Sequence, residues 1–595
     1  MKNMSIWTWL GAVFPILFLF LMMSVFHMKT ERAAFLGIIC AIISALVIGK
    51  STPQIVTMDL GKGAFSALNI LIVIWPAVFL YEMMEFAGVF QSIKQMLQKK
   101  TQDELVMLLL ICWLFSSFLQ GITGFGVPVA VCAPILIALG VQPLWSVIIT
   151  LLGHAWANTY GTFALAWDAL ITQSETQKIF ETKLIAGLLL LGVNLAGAIL
   201  ISWLYGKGKA LRHILPFLLI ISLIQGGGQL IVSFTNSTIA AFIPTTLALV
   251  VGWLLLGAGF YTKPWKMDSK LMVRQENEEM EKESNKTVIT ERLVKVRENS
   301  SNKIVTTERL AKEVRKNNFN KTDITNSLKN EKETILQQKK YALNQSNEKV
   351  EKAITNGQAI FPFIILAAIS VIILLIKPIH DVMNQTVFAL SFPQIETGRG
   401  FLVEATDSYG AIHIFTHAGF VLLLTVIITL LLYLKKGYLD KQKMKSVITA
   451  TLKKIIPTSL GILFLIVMSQ VLKGSGIMQL IAQGVTQVTD KYYSFAVPFL
   501  GLLGAFVTSS NTSSNILLGS FQKTAADMIS VNEAAILAAQ TAGGAIGTVV
   551  GPSTILLGTT TAGCEGKEGE VLRFMLPIVL VEAAMAGIVI TVLIH

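Results

Sequence analysis

Two short polar segments interrupt an otherwise apolar chain of 595 residues, one in each half. The first is Gly121–Pro128, which contains three glycines and a proline. The second is Thr508–Asn515, a run of eight hydrogen-bonding side chains. Glycine and proline interrupt helices, and in a bilayer a bare backbone N–H or C=O costs several kcal/mol unless it lines a cavity or binds a ligand. The two segments are therefore candidates for a site that binds a small polar solute.

Backbone N–H groups at the start of the half-helix that follows each segment would face an anion, because the N-terminal end of a helix carries partial positive charge. A third stretch, Thr541–Thr554, is predicted to break a helix again in the second half. For the first segment the alternative is a kink at which small residues pack between helices. The predicted substrate-binding residues are Gly121, Thr123, Gly124, Gly126, Ser510, Asn511, Thr512, Ser513, Ser514, Asn515, Thr541, Gly543 and Gly544.

Ionisable side chains inside apolar stretches are expensive in a bilayer and are functional candidates for that reason. His154, Asp168 and Glu582 are such residues and are predicted to take part in ion coupling. Histidine is the side chain that titrates near neutral pH, although a satisfied structural histidine is the alternative for His154. Glu82 and Glu85 lie near the end of a span, where an interfacial position is equally compatible with the sequence.

The elements that position these residues are predicted to be transmembrane helices. Hydrophobic residues make up 53% of the chain, charged residues 14%, and the mean hydropathy is +0.64, whereas a soluble domain is about 25% charged. The fold class is an all-α polytopic membrane protein with about 12–14 transmembrane helices. The candidate spans are 5–27, 33–49, 65–88, 104–119, 143–171 (broken), 182–205, 212–234, 238–261, 359–376, 411–434, 455–473, 476–489, 492–508, 533–550 and 571–594.

The two halves echo each other weakly. Phe118–Gly121 followed by Tyr160–Thr162 is similar to Phe506–Ser509 followed by Ile546–Thr548. In each half a polar break follows a span, another span begins, and a second break follows. This pattern favours two inverted repeats with broken or re-entrant helices.

Residues 266–358 are rich in Lys, Glu, Asn, Ser and Thr and are too polar to bury a core of their own. They are predicted to be a charged cytoplasmic linker between an N-terminal transmembrane half, 1–265, and a C-terminal half, 359–595. The alternative is a helix that binds a partner.

The net charge of +12 favours contact with anionic lipid and not with nucleic acid, because the basic residues cluster beside spans. Placing the basic loops inside predicts a multi-pass protein of the plasma (inner) membrane whose N-terminus lies outside. The loops Gly49–Gly63 and Lys377–Gly410 then face outward. The richest basic loops are His27–Arg32, Lys94–Lys100, Lys207–His213 and Lys435–Lys454.

Motifs for catalysis are not found in a supporting context: there is no HExxH, GxSxG or Walker sequence. The four cysteines lie far apart and lack a metal-binding spacing. We therefore expect no enzyme activity, no cofactor and no metal, and transport driven by ATP on this chain is disfavoured.

Several stretches, in their order along the chain, resemble the L-lactate permease family, the lactate and glycolate carriers of bacteria. The resemblance implies secondary transport of small 2-hydroxymonocarboxylates by alternating access, usually coupled to protons. Gln120 and Glu404 join the coupling candidates. The matching stretches are Trp75–Ala77, Gly88–Phe90, Gly121–Ala130, Glu404–Thr406, Thr512–Asn515, Gly543–Gly544, Gly566–Glu568 and Arg573–Phe574.

The chain departs from the family pattern at four positions. Gln120 stands where typical members carry glutamate, Asn511 where they carry aspartate, and Thr548 where they carry lysine. His154 takes the place of an asparagine. Since amides and threonine do not titrate near pH 7, the coupling is left open between a proton moving through His154, sodium in place of the proton, and uncoupled exchange.

Three functions remain open from the sequence. The first is a cation-coupled carrier of lactate or glycolate. The second is a sodium-coupled carrier or exchanger of another small organic anion, although a dicarboxylate would require a second fixed positive charge and basic residues are scarce within the spans. The third is a transporter-like membrane sensor whose linker binds a cytoplasmic partner. The sequence leaves a homo-oligomer open.

Overall fold

The computed structural model describes residues 5–594 except 25, 27, 99–100, 125, 258–260, 262, 274–353, 404 and 490–491. Within this part of the chain, 11 helices are long and apolar enough to cross a membrane. The prediction of a polytopic membrane protein built mostly of helices is therefore confirmed, whereas the all-α class is wrong because the described part of the second half also contains four short strands. Most of the predicted linker lies outside the described residues.

The first half is a series of helices, several of which are interrupted. A π-helical stretch, Leu110–Phe115, joins α5 to α6, and a second, Leu223–Gly227, joins α10 to α11. Helix α10 is kinked at Gly206 and Lys207. The helices are α1 (Ile6–Ser24), α2 (Thr30–Val47), α3 (Pro53–Phe86), α4 (Val89–Gln98), α5 (Glu104–Leu109), α6 (Ser116–Ile122), α7 (Val127–Ile137), α8 (Pro143–His154), α9 (Gly161–Ser174), α10 (Ile179–Ser222), α11 (Gly228–Thr235) and α12 (Phe242–Gly257).

The second half adds two small antiparallel sheets to its helices. Strand β1 pairs with β4, and β2 pairs with β3. The elements are α13 (Asn356–Leu374), α14 (Lys377–Met383), β1 (Val387–Phe392), β2 (Ile395–Glu396), β3 (Leu402–Val403), β4 (Thr406–His413), α15 (Ala418–Lys436), α16 (Lys441–Gly474), α17 (Ile477–Thr489), α18 (Tyr493–Thr508), α19 (Asn511–Met528), α20 (Glu533–Thr548), α21 (Pro552–Thr561) and α22 (Glu568–Ile594).

The predicted outer loop Gly49–Gly63 is wrong beyond its first residues, because α3 begins at Pro53. The Thr52 hydroxyl accepts a hydrogen bond from the backbone N–H of Ile55 at 3.4 Å, and proline at the first helical position is compatible with a helix start. Helix α3 is therefore 34 residues long. It brings polar residues of the supposed loop, Asp59 and Lys62 among them, into the helical bundle.

The predicted break over Thr541–Thr554 is also wrong in its first part, because Thr541, Gly543 and Gly544 lie inside the continuous helix α20. A Cβ atom at Gly543 would come within 2.0 Å of the carbonyl oxygen of Pro498 on α18. The glycine thus allows two helices to pack closely and does not end one. The break is confined to the residues between α20 and α21.

The segment Lys377–Gly410, which was predicted to be a loop, contains α14, β1, β2, β3 and the first part of β4. Its β1–β4 hairpin packs on the first part of α3. The hydroxyl groups of Tyr409 and Ser66 are hydrogen-bonded at 3.0 Å, and Phe65, Tyr409 and Ile412 form a small buried cluster. The hairpin therefore lies over the end of α3 that contains Asp59 and Lys62.

A polar pair, formed by the buried Asp103 and the partly exposed His213, fixes the start of α5. Asp103 accepts a hydrogen bond from the backbone N–H of Val106 at 3.1 Å, and its other carboxylate oxygen lies 2.6 Å from His213 Nε2. The His213 ring stacks on Trp265 with a centroid distance of 4.0 Å. Burial raises the pKa of Asp103 above its ordinary value, and the hydrogen bond with His213 opposes that shift.

Replacing His213 with alanine is expected to destabilise the protein by about 1–3 kcal/mol, because a buried carboxylate loses a partner. Thermal unfolding in detergent at neutral pH measures this loss. His380→Ala is the matched control, since His380 faces the exposed Asp381 at 3.5 Å and should change stability little. Equal effects of the two substitutions would contradict the structural role of the Asp103–His213 pair.

Candidate functional site

The first polar segment forms a break between two helices, as the glycines predict. Helix α6 ends at Ile122 and α7 begins at Val127. Gly124 and Gly126 have φ values of +57° and +76°, which favour glycine. Gly126 is the N-cap of α7. The N-terminal end of α7 is therefore placed at the break, where the N–H of Val127 donates to the carbonyl of Gly124 at 3.0 Å and Pro128 has no N–H.

The second polar segment forms a similar break. Helix α18 ends at Thr508, Ser509 adopts a φ of +54°, and α19 begins at Asn511. The N-cap Ser510 accepts a hydrogen bond from the backbone N–H of Ser513 at 3.2 Å. The run of hydroxyl residues thus provides the turn, the cap and the first turn of α19.

Two further breaks lie between α8 and α9 and between α20 and α21. The 3₁₀ turn Ala155–Asn158 follows α8, and the three residues Thr162–Ala164 have φ values of 50°, 55° and 63°. At the other break, Gly551 is the N-cap of α21. The backbone N–H of Ser553 in α21 donates to the Ser509 hydroxyl at 3.1 Å. The starts of α19 and α21 are therefore joined directly.

A small cavity of about 50 Å³ lies where these four breaks meet. It has room for about four water molecules, at about 10–15 Å³ for each. Residues of both halves line it, and none of the lining residues is Asp, Glu, Lys or Arg. The lining residues are Gln120, Gly126, His154, Asn158, Gly161, Thr162, Leu165, Ser509, Ser510, Asn511, Thr512, Thr548 and Thr554.

The structure brings together one part of the predicted site and not the other. Of the predicted residues, the cavity is lined by Gln120, Gly126, His154, Ser510, Asn511 and Thr512. The predicted binding and coupling residues together lacked seven lining residues, of which Asn158, Gly161 and Thr162 belong to the α8–α9 break. In the sequence, this break was indicated by the similarity between Tyr160–Thr162 and Ile546–Thr548 in the two halves.

The remaining predicted binding residues pack around the cavity without lining it. The Thr123 hydroxyl donates to the carbonyl of Leu119 in its own helix at 2.9 Å, and Ser514 donates to the carbonyl of Gly501 at 2.8 Å. A Cβ atom at Gly121 would lie 3.1 Å from the Cα of Phe242. Gly121, Thr123, Gly124, Ser513, Ser514, Asn515, Thr541, Gly543 and Gly544 are absent from the lining.

A layer of hydrogen bonds behind the cavity links the two halves. The Asn511 amide donates to the Thr159 hydroxyl at 3.2 Å, and the Asn515 amide donates to the Thr541 hydroxyl at 2.9 Å. Thr159 and Thr541 are themselves hydrogen-bonded at 3.1 Å. The Oδ1 atoms of Asn511 and Asn515 are buried and have no donor among the described residues. The layer positions α19 against the α8–α9 break and leaves acceptor capacity on Asn511.

His154 closes one wall of the cavity. Its Nδ1 atom lies 2.6 Å from the carbonyl oxygen of Thr150, one turn earlier in α8. Because a carbonyl can only accept, Nδ1 carries the hydrogen, and Nε2 is the acceptor nitrogen of the neutral ring. His154 is therefore a titratable side chain in the cavity wall.

The other coupling candidates lie elsewhere. Asp168 is on α9 beyond the cavity, and Glu582 is on α22; neither lines the cavity. Glu404 lies outside the described residues. Glu82 forms an ion pair with Lys454 at 2.5 Å at the other end of α3. Among the residues that the structure describes, the cavity wall is thus neutral unless His154 is protonated.

A bundle of apolar helices, four of which are broken where they surround a small polar cavity, defines a polytopic membrane transport protein. The chain matches the L-lactate permease family over residues 8–298 and 316–595. It belongs to this family, whose members are permeases and not enzymes, and the resemblance seen in the sequence is confirmed.

Relatives match over almost their whole length. The chain is 24% identical to the L-lactate permease of Halalkalibacterium halodurans over 577 residues, which cover 95% of this chain and 93% of that protein. It is 25% identical to the glycolate permease GlcA of Escherichia coli K12 over 598 residues, with 98% and 94% covered. It is 24% identical to the L-lactate permease of Bacillus subtilis over 571 residues, with 95% and 92% covered.

Proposed function

We propose that this protein is a secondary active transporter of small 2-hydroxymonocarboxylates such as lactate and glycolate. The observation that carries the proposal is the neutral cavity at four helix breaks, found in a member of a family whose relatives are named L-lactate and glycolate permeases. Transport then requires that the cavity open alternately to the two sides of the membrane.

Helix starts supply the attraction for the carboxylate. Gly126, Ser510 and Thr554, which lie at or near the starts of α7, α19 and α21, line the cavity. Each helix start contributes about 0.3–1 kcal/mol toward an anion, and more where water is excluded. Backbone donors are few at two of these starts: Pro128 and Pro552 have no N–H, and the N–H groups of Val127, Ser553 and Thr554 already donate within the protein. The attraction at α7 and α21 therefore comes from the helix dipoles. A monocarboxylate can therefore be held without a fixed cation.

Hydroxyl groups fit the rest of the substrate. The hydroxyls of Ser510 and Thr512 can donate to or accept from a 2-hydroxyl group, whereas the unpaired Oδ1 atom of Asn511 is buried against Gly544. A dicarboxylate would bring a second negative charge into a cavity whose described lining has no Lys or Arg. The small volume and the missing second cation favour a monocarboxylate.

The four breaks also support two repeats. The α6–α7 break corresponds to the α18–α19 break, and the α8–α9 break to the α20–α21 break, in the order that the sequence echo predicts. We extend the proposal to an N-terminal half, 1–265, and a C-terminal half, 359–595, in inverted orientation and joined by a cytoplasmic linker. The N-terminus then lies outside, as the basic loops predict.

The decisive experiment is uptake of radiolabelled L-lactate into proteoliposomes under imposed proton or sodium gradients. We expect an inward proton gradient to drive accumulation, glycolate to compete, and a dicarboxylate in tenfold excess to compete poorly. Empty liposomes and an outward gradient are the controls. Absence of both gradient-driven uptake and lactate exchange would contradict the proposal and favour another anion or a sensor.

A further inference from the structure

A second polar cluster lies in α3, beneath the β1–β4 hairpin. Asp59 has no exposed surface, and Lys62, one turn later, is 3% exposed. Neither carboxylate oxygen of Asp59 has a hydrogen-bond partner among the described residues. A buried charge without a partner is costly, and in a membrane protein it marks a functional residue unless it is neutralised.

The Asp59 carboxyl packs against Gly474 at the C-terminal end of α16. A Cβ atom at Gly474 would come within 2.1 Å of Oδ1 and 2.2 Å of Oδ2 of Asp59. The adjacent residue, Lys473, forms an ion pair with Glu175 at 2.8 Å and donates to the carbonyl of Gln173 at 3.2 Å. One nearby cation is therefore already engaged by another carboxylate.

The second cation, Lys62, is covered by aromatic rings of the hairpin. Its Nζ atom lies 5.2 Å from the ring centroid of Phe392 and 5.5 Å from that of Tyr409, within the range of cation–π attraction. No ion pair within 4 Å joins Lys62 to Asp59 among the described residues. Both cations are thus close enough to act on the Asp59 charge but are held by other groups.

Four titratable or charged groups surround Asp59 in the described structure. Lys62 on α3 and Lys473 on α16 act on its charge directly, Glu175 after α9 acts on Lys62, and Tyr409 comes from β4. Because the Asp59 carboxyl is buried without a hydrogen-bond partner and both cations are engaged elsewhere, the neutral carboxylic acid is its less costly form here. Movement of either cation toward Asp59 would favour loss of the proton.

Two helices connect this cluster to the substrate cavity. The first residues of α9 and of α19 line the cavity. Farther along these helices, the Ser469 hydroxyl of α16 lies 3.0 Å from Gln173 Oε1 and 2.8 Å from the carbonyl oxygen of Ile516. If substrate binding displaces α9 or α19, these hydrogen bonds would therefore shift α16 and change the distance between Lys473 and Glu175.

We propose that Asp59 carries the coupling proton of transport, at a site separate from the substrate cavity, with Lys62 and Lys473 as the cations that expel it. This inference rests on the proposed function. In the step, the O–H bond of the Asp59 carboxylic acid breaks, the proton leaves to water on the side to which the site has opened, and the carboxylate is stabilised by the approaching ammonium groups. Reprotonation from the other side completes the cycle.

Asp59→Asn tests the inference, because an amide keeps the shape of the carboxylic acid and cannot release a proton. We expect this variant to lose lactate accumulation driven by a proton gradient while it retains exchange of external for internal lactate near the wild-type rate. Asp407→Asn, on the exposed side of β4, is the matched control and should leave both activities unchanged. Size-exclusion chromatography checks folding.

Accumulation by a folded Asp59→Asn variant would overturn the proposal, and so would loss of exchange together with accumulation. Lys62→Met tests the same point if the asparagine variant does not fold. Removing this cation should let the carboxyl keep its proton to higher pH, so that the pH of half-maximal net uptake rises by about one unit. An unchanged midpoint would overturn the proposal.

The behaviour of the wild type separates this inference from the proposed function. Wild-type protein that neither accumulates nor exchanges lactate refutes the proposed function. Wild-type protein that exchanges lactate, but accumulates it only with a sodium gradient, keeps the substrate and refutes proton transfer through Asp59.

Discussion

An Asn511→Asp variant is expected to take up lactate only under acidic conditions. Asn511 lines the cavity and begins α19. Typical members of the family pair an aspartate at this position with a lysine where this chain has Thr548, which also lines the cavity. An ionised aspartate introduced alone therefore lacks that compensating charge and would repel the substrate carboxylate. Two like charges about 4 Å apart repel by about 4 kcal/mol at an effective dielectric constant of about 20. We therefore expect uptake at neutral pH to fall by up to about 1,000-fold and to recover as the pH is lowered. Initial uptake rates across pH 5–8 measure this effect.

Recovery is expected because a protonated aspartic acid is neutral, has the shape of asparagine and retains one donor hydrogen. Asn532→Asp is the matched control: Asn532 caps the start of α20 through a 3.0 Å hydrogen bond from Ala534 and does not line the cavity. A folded Asn511→Asp variant with the wild-type pH profile would show that this position does not approach the substrate carboxylate.

Gly124→Ala is expected to reduce transport by about 100-fold, and Thr162→Ala should partly restore it. A Cβ atom at Gly124 would lie 2.1 Å from Thr162 Oγ1, so the two helix breaks could not keep their contact. Removing the hydroxyl leaves the Cβ of residue 162 at 3.5 Å, an ordinary contact. The left-handed backbone at position 124 retains a cost of about 1–2 kcal/mol. Uptake is measured for the wild type, for both single variants and for the double variant, which together form a double-mutant cycle.

Gly88→Ala is the control that measures the cost of placing alanine in left-handed backbone without a steric clash. Gly88 has a φ of +78°, and a Cβ atom there meets nothing within 4 Å. We expect this control to transport at near the wild-type rate. If Gly124→Ala behaves like Gly88→Ala, or if Thr162→Ala gives no rescue although it is active alone, contact between the two breaks is not required for transport.

Helix breaks were predictable from the sequence where glycine stands beside proline or beside a run of hydroxyl residues. Gly124–Gly126 and Ser509–Ser510 do interrupt helices. Gly543 and Gly544 do not, because their lack of a Cβ serves close helix packing. A glycine that ends a helix and one that packs inside a helix look the same in a single sequence, since the partner helix decides between them.

The charged cluster around Asp59 was missed for a related reason. Three polar residues, Thr57, Asp59 and Lys62, fall within a few positions of one another, and their polarity favoured a loop over Gly49–Gly63. In the structure they lie in the first turns of a long helix, in which the hairpin covers Lys62, α16 covers Asp59, and Thr57 is exposed. The order of the chain alone does not show that segments more than 300 residues apart meet at this point.

Two rings of the β1–β4 hairpin, Phe392 and Tyr409, hold the Lys62 ammonium group by cation–π contacts. A segment outside the bundle therefore helps to set the electrostatic environment of a carboxyl on a transmembrane helix. With the proposed role of Asp59, substitutions in this hairpin would change the pH dependence of transport. They would do so without changing the cavity that selects the solute. Adaptation to habitat and choice of nutrient can then follow separate histories in the same molecule.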